Sequence, residues 1–375
     1  AWNGYDINGD LRITGLFPWM YGNLKIIENA LWSALASETW DPDKHAFAPT
    51  LYRFNLAGKV AQSYTAPAGY GFHHDITTDG KGNLWVLGSL LDGWSDEQKL
   101  ECILYKYDIA SGALLWQRDY SQEFMGVTVL DNTDTNDVHF NSLSHIPAGN
   151  TFSEAIIVHT RSASLTVGIS PDDGHILWSA DTGNYNPTFA QSLSAPRLDT
   201  SAITDRDNGA HTVFVTQNPY FSDKSDISAG KFVLSLFNNR SCVGADGKAV
   251  VRPISAPATE ASSSALPVQV LFYAVDLAAN TVTQTGAAVS LPQTRVPQIT
   301  DFMGAVFDYG DYYTVFTNAA RSFFIIDPTG HAIATIYDVI SALHGYPEFP
   351  GECYRARLFS EDELQSLITT AFTLA

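Results

Sequence analysis

The chain has 375 residues, 45% hydrophobic, 12% aromatic and only 16% charged, with 27 glycines, 17 prolines and a formal net charge of -19. That acidic balance, without any cluster of Lys and Arg, excludes recognition of a nucleic-acid backbone, and no apolar run reaches the roughly 18 residues that a membrane-spanning helix needs. Frequent aromatic residues punctuated by Gly and Pro argue for many short strands, which one large all-β domain accommodates at this length.

In chain order, the opening AWNGYDINGD has no charged n-region or apolar h-region, as expected of a mature exported protein, periplasmic or secreted. A hairpin pattern begins at once, with alternating apolar residues on either side of a tight polar turn: GYDINGDLRI from Gly4, then LYRFNLAGKV from Leu51 and LYKYDIASGALLW from Leu104. It recurs as TVGISPDDGHILW from Thr166, LFYAVDLAANTV from Leu271 and FFIIDPTGHAI from Phe323. These units repeat at intervals of roughly 50 to 60 residues, with one gap about twice as long, a period that fits propeller blades. The pattern predicts a six-bladed β-propeller with four-stranded blades as a single domain over residues 1–375. Between the first two hairpins, ENALWSALAS predicts a helix; residues 243–267, rich in Ala, Ser and Pro, predict a low-complexity loop; residues 360–375 predict a helical tail in which Ser360 and Glu363 form a capping box. Cys102, Cys242 and Cys353 have no CxxC spacing, so the pattern suggests no zinc or thioredoxin-like site, and one disulfide with one remaining thiol is allowed.

Residues suited to chemistry fall into several segments. In GYGFHHDITTDG, strand alternation sends His73 and His74 to opposite faces, so a regular strand presents only one of them to a channel. In DVHFNSLSHIP, His139 and Asn141 are two apart and share a face, with Asp137 on the same face to fix a tautomer of His139. In IIVHTRSAS, Arg161 emerges from an apolar run beside Ser162 and Ser164, whereas His145 and His159 are expected to be structural or exposed. An imidazole, a carboxamide and a guanidinium on neighbouring strands make a cradle for a tetrahedral oxyanion, since Arg offers a fixed fork of donors and His can move a proton. Gln217 and Asn218 close the apolar strand of HTVFVTQNPYFSD, where neither amide can act as nucleophile or base, and Thr300 and Asp301 precede a strand where a turn is expected. No GxSxG, HExxH, Walker A or GxGxxG segment is present, and neither a metal nor a cofactor is called for.

Taken in order, FHHDITTDGKGNLWVLG, the HxNS core of DVHFNSLSHIP, IIVHTRSAS, TQNPYF ahead of LSLFNN, and ECYRARLF resemble the bacterial aryl-sulfate sulfotransferases, which do not use a nucleotide sulfate donor. The resemblance implies a propeller that moves a sulfuryl group from a phenolic sulfate donor to a phenolic acceptor by a ping-pong reaction through a sulfated histidine. It further implies that His139 and Asn141 contact the sulfate or bridging oxygen, that Arg161 neutralises sulfate charge, and that His73 or His74, with His74 preferred, completes the cradle. Thr300 is a further substrate contact on the same grounds, and a homodimer is a possibility the family raises. The family's nucleophilic His normally follows a Gln on the strand before an FDN-like segment, and the residue after Gln217 here is Asn218. On that alignment the chain is an aryl-sulfate binder with little turnover, and the alternative is a non-catalytic propeller for sulfated or phenolic ligands. A quinone-dependent dehydrogenase-like propeller, suggested by DIASGALLW and DDGHILW, would need a calcium-held quinone site that the sequence does not display.

Overall fold

Aspartate side chains close the hairpins that the sequence repeats. In the computed structural model, Asp79 accepts hydrogen bonds from the backbone N–H groups of Lys81 (2.8 Å) and Asn83 (3.2 Å), from the Asn83 carboxamide (2.7 Å) and from the Trp85 indole (3.3 Å). Asp108 serves Ser111, Asp276 serves Ala279, and Asp327 serves Thr329 and His331 in the same way. Each carboxylate satisfies donors that a tight turn takes out of the strand ladder.

The structure describes residues 2–5, 11–15, 25–27, 30–35, 49–55, 59–90, 101–131, 138–183, 185–187, 195–256, 266–292, 304–317, 322–336, 358, 360–362, 364–366 and 369. Strands β1 (Trp2–Tyr5) and β2 (Leu11–Gly15) form a two-stranded antiparallel ribbon. Four-stranded antiparallel sheets follow: β3 (Lys25–Ile27), β4 (Ala30–Leu35), β5 (Thr50–Phe54) and β6 (Val60–Thr65), then β7 (Tyr70–Thr78), β8 (Asn83–Leu90), β9 (Ile103–Asp108) and β10 (Leu114–Asp119). A short helix α1 (Ser121–Phe124) and β11 (Thr128–Leu130) lead into a third sheet of β12 (Phe140–Ile146), β13 (Ala155–Thr160), β14 (Leu165–Ile169) and β15 (Ile176–Asp181). The fourth is built from β16 (Val213–Thr216), β17 (Lys231–Asn238), β19 (Gln269–Asp276) and β20 (Thr281–Gln284), with β21 (Val289–Ser290) also on β19, while β18 (Val251–Pro253) pairs with β11. The fifth comprises β22 (Ala305–Tyr309), β23 (Tyr312–Thr317), β24 (Ser322–Ile326) and β25 (Ala332–Ile336).

The architecture is all-β and propeller-like, as the sequence predicts, but the described residues form five blades rather than six. Five of the repeated hairpins are the third and fourth strands of a blade; the first, at Gly4, is the isolated ribbon β1–β2. A hairpin signature reports two paired strands and says nothing about further neighbours, so counting hairpins overcounts blades. The predicted helix ENALWSALAS is also corrected, because its core is strand β4, which pairs with β3 and β5. Ala and Leu favour helix only slightly, and buried pairing overrides that preference, with the Trp32 indole N–H bonded to the Ile27 carbonyl at 3.1 Å. The stretch expected as a loop, 243–267, contributes β18 through its described part, where Arg252 Nε lies 3.2 Å from Asp131 Oδ1 in a buried ion pair. In the C-terminal tail, residues 361, 362, 364–366 and 369 are helical; Glu363 lies outside the described residues.

The chain divides into two compact units, one of Ala1–Ser95, Glu101–Asp119 and Phe359–Ala375, the other of Asp96–Leu100 and Tyr120–Leu358. In the first, the sheets β3–β6 and β7–β10 share an aromatic core in which Trp32 and Tyr64 lie 5.3 Å apart and Phe72 meets Tyr105 edge-on at 5.5 Å. In the second, Ile157, Trp178, Leu234, Leu271 and Tyr273 join the third sheet to the fourth, and Val270, Phe272, Tyr313 and Phe324 join the fourth to the fifth. Gly168 is required by this packing: a Cβ there would lie 2.2 Å from the Trp178 ring that crosses it. The first strands of successive sheets are also tied by hydroxyls. Ser142 and Ser144 of β12 accept the backbone N–H groups of Val213 (3.2 Å) and Val215 (3.3 Å) on β16, and Thr212 accepts that of Val306 on β22 at 3.1 Å.

The bonds to Asp79 outweigh its burial, which raises the pKa, and leave the carboxyl below its ordinary value. A depressed folded-state pKa contributes stability above the unfolded pKa that is lost as pH falls through the folded one. Asp79→Asn is therefore expected to cost about 1–3 kcal/mol at neutral pH, by loss of charge-assisted bonds in a buried turn. In urea unfolding, the gap between wild type and variant should narrow as the pH is lowered from about 5 to about 2.

Candidate active site

Two irregular strands carry most of the residues singled out by sequence. Strand β7 pairs regularly with β8 at Tyr70–Phe72 and again at Ile76–Thr78, and the intervening His73, His74 and Asp75 form a bulge. His74 has φ of 48°, in the left-handed region, and the two imidazoles meet with their Nδ1 atoms 2.7 Å apart. The expectation that His73 and His74 face opposite ways is thus corrected: the bulge cancels strand alternation and turns both rings into one place. Asp75 is held by Lys25 at 2.6 Å, and the buried Glu101 places a carboxylate oxygen within 4.8 Å of donor atoms on both histidines.

On β12 the register shifts between Phe140 and Ser142, so Asn141 is the bulged residue, and His139 just before the strand has φ of 57°. Left-handed conformations at non-glycine residues cost energy and cluster at functional positions. The Arg161 backbone N–H donates to the His139 carbonyl at 2.8 Å, and Ser162 N–H donates to the Val138 carbonyl at 3.2 Å, which brings His139 and Arg161 side by side as the sequence predicts. Both are buried, at 7% and 5% exposure, and Asn141 is fully buried. Its carboxamide nitrogen donates to the Ala210 carbonyl at 2.7 Å. Asp137 lies outside the described residues.

That bond introduces a residue the sequence reading passed over. Ala210 immediately precedes His211, which is buried and has Nδ1 2.7 Å from Asn239 Oδ1. The loop before β16 is clamped at each step. Gly209 N–H donates to Ser164 Oγ at 3.2 Å, Ala210 N–H to Asp207 Oδ1 at 2.9 Å, and His211 N–H to the Phe237 carbonyl at 3.0 Å. Ser164 is therefore a structural partner of Gly209, and it also accepts from the Tyr185 phenol at 2.6 Å. His159 is structural as expected, but buried, between Thr166 Oγ1 (3.0 Å) and Asp207 Oδ2 (3.1 Å). His145 pairs with Glu154 at 2.8 Å near the surface. The signal for His211 is positional: it stands ahead of the apolar first strand VFVT as His139 stands ahead of FNSLSHI.

Asn218 is at the other end of β16. With about 3.3 Å per extended residue it lies some ~20 Å along the chain from His211, away from the His139 and Arg161 group. There its side chain caps the 3-10 turn Pro219–Phe221, accepting from Tyr220 N–H at 3.0 Å and donating to the Tyr312 carbonyl at 3.2 Å. The neighbouring Thr216 hydroxyl is 2.6 Å from Asp308 and 2.7 Å from the Tyr313 phenol. Thr300 and Asp301 lie outside the described residues, as does the ECYRAR part of the final motif.

The third and fourth sheets thus set His139, Asn141 and Arg161 beside the loop that carries His211, the arrangement of a propeller-type protein with a polar site at its strand starts. Residues 5–288 match the family model for arylsulfotransferase (ASST), and the chain belongs to that family. No curated protein sequence matches it significantly. Among solved structures it is similar to a protein of unknown function from Bacteroides caccae, at 9% identity and TM-score 0.41, over 82% of this chain and 78% of that one. It is also similar to BamB from Moraxella catarrhalis, at 11% identity and TM-score 0.30, over 88% of this chain and 65% of that one. The computationally designed Ika8 protein is similar at 10% identity and TM-score 0.35, over 92% of each chain.

Because Asn218 acts as a cap, Asn218→Ala is expected to destabilise the fold by about 1 kcal/mol, the usual value of a capping side chain, as read by thermal or urea unfolding.

Proposed function

We propose that the protein transfers a sulfuryl group from a phenolic sulfate donor to a phenolic acceptor through a sulfo-histidine, with His211 as the carrier. The observation that carries this reading is the 2.7 Å contact between His211 Nδ1 and Asn239 Oδ1. A carboxamide oxygen only accepts, so Nδ1 bears the proton and Nε2 keeps the lone pair that a nucleophile needs. Attack of Nε2 on sulfur forms the N–S bond as the S–O bond to the phenol breaks, and His139 protonates the departing phenolate. A second phenol gives its proton back to His139 and attacks sulfur, breaking the N–S bond. Arg161, buried beside His139, neutralises the equatorial oxygens, and phenol with a pKa of roughly 10 needs only modest acid assistance to leave.

Asn218 is then a cap and not a vacated nucleophile, and the chain should turn over. The opposite assignment, with Asn218 in the carrier position, makes it an aryl-sulfate binder without turnover. The acidic surface balance and Trp- and Tyr-rich strands favour a location outside the cytoplasm, periplasmic or secreted, and the family supports small phenolic substrates.

Incubation with a nitrophenyl sulfate and phenol should release nitrophenol, and without acceptor a sulfuryl adduct should be found on His211 by peptide mass spectrometry. His211→Ala should abolish both, and Arg161→Ala should slow turnover by about 10²–10³-fold, the loss typical of one oxyanion donor. Unimpaired turnover by His211→Ala would remove His211 from the carrier role, and a wild type inert toward every aryl sulfate tried would favour the binder.

A further inference from the structure

The paired histidines of β7 form a second constellation whose chemistry differs from that of the His139 group. His73, His74 and Glu101 are all buried, and one ligand atom from each lies within 4.8 Å of the other two. Asp75, the carboxylate of the bulge itself, is engaged by Lys25 at 2.6 Å and is not one of the clustered donors. Nothing in strand pairing requires this arrangement, since a regular β7 would send the two imidazoles to opposite faces. It is produced by a three-residue bulge and a left-handed His74 with φ of 48°, a conformation that non-glycine residues seldom adopt.

A sulfate ester is a poor occupant here, because the Glu101 carboxylate would repel it at short range. A cation fits. Two imidazole nitrogens and one carboxylate are the donors that first-row divalent ions take in sites with open coordination positions, whereas Ca²⁺ and Mg²⁺ favour oxygen ligands throughout. An ion about 2.0–2.1 Å from each donor holds neighbouring donors roughly 3.0–3.4 Å apart, so the Nδ1 atoms, now at 2.7 Å, need to open by only a few tenths of an ångström. We infer that His73, His74 and Glu101 bind one divalent transition-metal ion, of the zinc or iron(II) class, with the remaining coordination positions open to water or a small ligand. The inference is independent of the role of His211.

The full chain, freed of any affinity tag and treated with chelator, is titrated with Zn²⁺ by calorimetry and with Co²⁺ by visible absorption. One equivalent should bind, with cobalt d–d bands, and both His74→Ala and the near-isosteric Glu101→Gln should weaken binding at least tenfold while far-UV circular dichroism stays native. Uptake of no metal by the wild type would overturn the assignment. So would uptake unchanged in both folded variants, since the ion would then sit elsewhere, for example at the exposed His175–Asp173 pair. Should His74→Ala fail to fold, Glu101→Gln decides alone.

Discussion

An unpaired edge strand governs this structure. The first strands of the fourth and fifth sheets have outer N–H groups with no strand to pair with, and a buried backbone donor left unsatisfied costs about 1–3 kcal/mol. The protein answers with side chains of the preceding blade: Ser142 and Ser144 take the N–H groups of Val213 and Val215, and Thr212 takes that of Val306. Asn141 completes the series with its bond to the Ala210 carbonyl. The polar residues of the HxNS segment are thus the joint between two blades, and the Asn141 bond to Ala210 ties the segment after His139 to the residue before His211. Functional placement depends on the joint because the loop from Asp207 to His211 has no regular ladder of its own.

Two of the chain's strand irregularities fall on the candidate residues. β7 and β12 both lose register at their candidate residues and recover it within the strand, and a histidine at positive φ lies in β7 and another directly before β12. Regular pairing on either side of each bulge over-determines the local backbone, which is how a conformation costing a kcal/mol or more persists. The two bulges differ in what they gather. One sets a carboxylate beside two imidazoles, while the other sets a guanidinium and a carboxamide beside one, so the charge they favour is opposite in sign.

Much of this was legible in the sequence because it depends on local chemistry. The Asp-centred turns, the hairpin repeat and the adjacency of His139 and Arg161 follow from two-residue alternation and short-range pairing. Bulges were not legible, since the extra residue carries no compositional mark; alternation therefore separated His73 from His74 when the fold joins them. ENALWSALAS read as a helix because propensity is summed along a segment, whereas β4 is stabilised by Tyr52, Arg53 and Phe54 across the sheet. His211 was missed because its role rests on Asn239, 28 residues away, and on a bond from Asn141 to its neighbour across 69 residues.

Several ionisable groups of the third and fourth sheets are committed to the fold. Tyr185 is held protonated because burial, then the charge of Asp207, push its phenol well above the ordinary value, and Tyr273 is raised by the same two causes. His159 has Nδ1 3.0 Å from Thr166 Oγ1 and Nε2 3.1 Å from an Asp207 carboxylate oxygen. Asp207 in turn accepts from Ala210 N–H and so helps to hold the loop. If His211 carries the sulfuryl group as proposed, the proton exchange with phenol falls to His139. On the proposed reading, a negatively charged protein handles a negatively charged ester through a local cation, with Arg161, whose backbone bonds to His139, set against the sulfate charge.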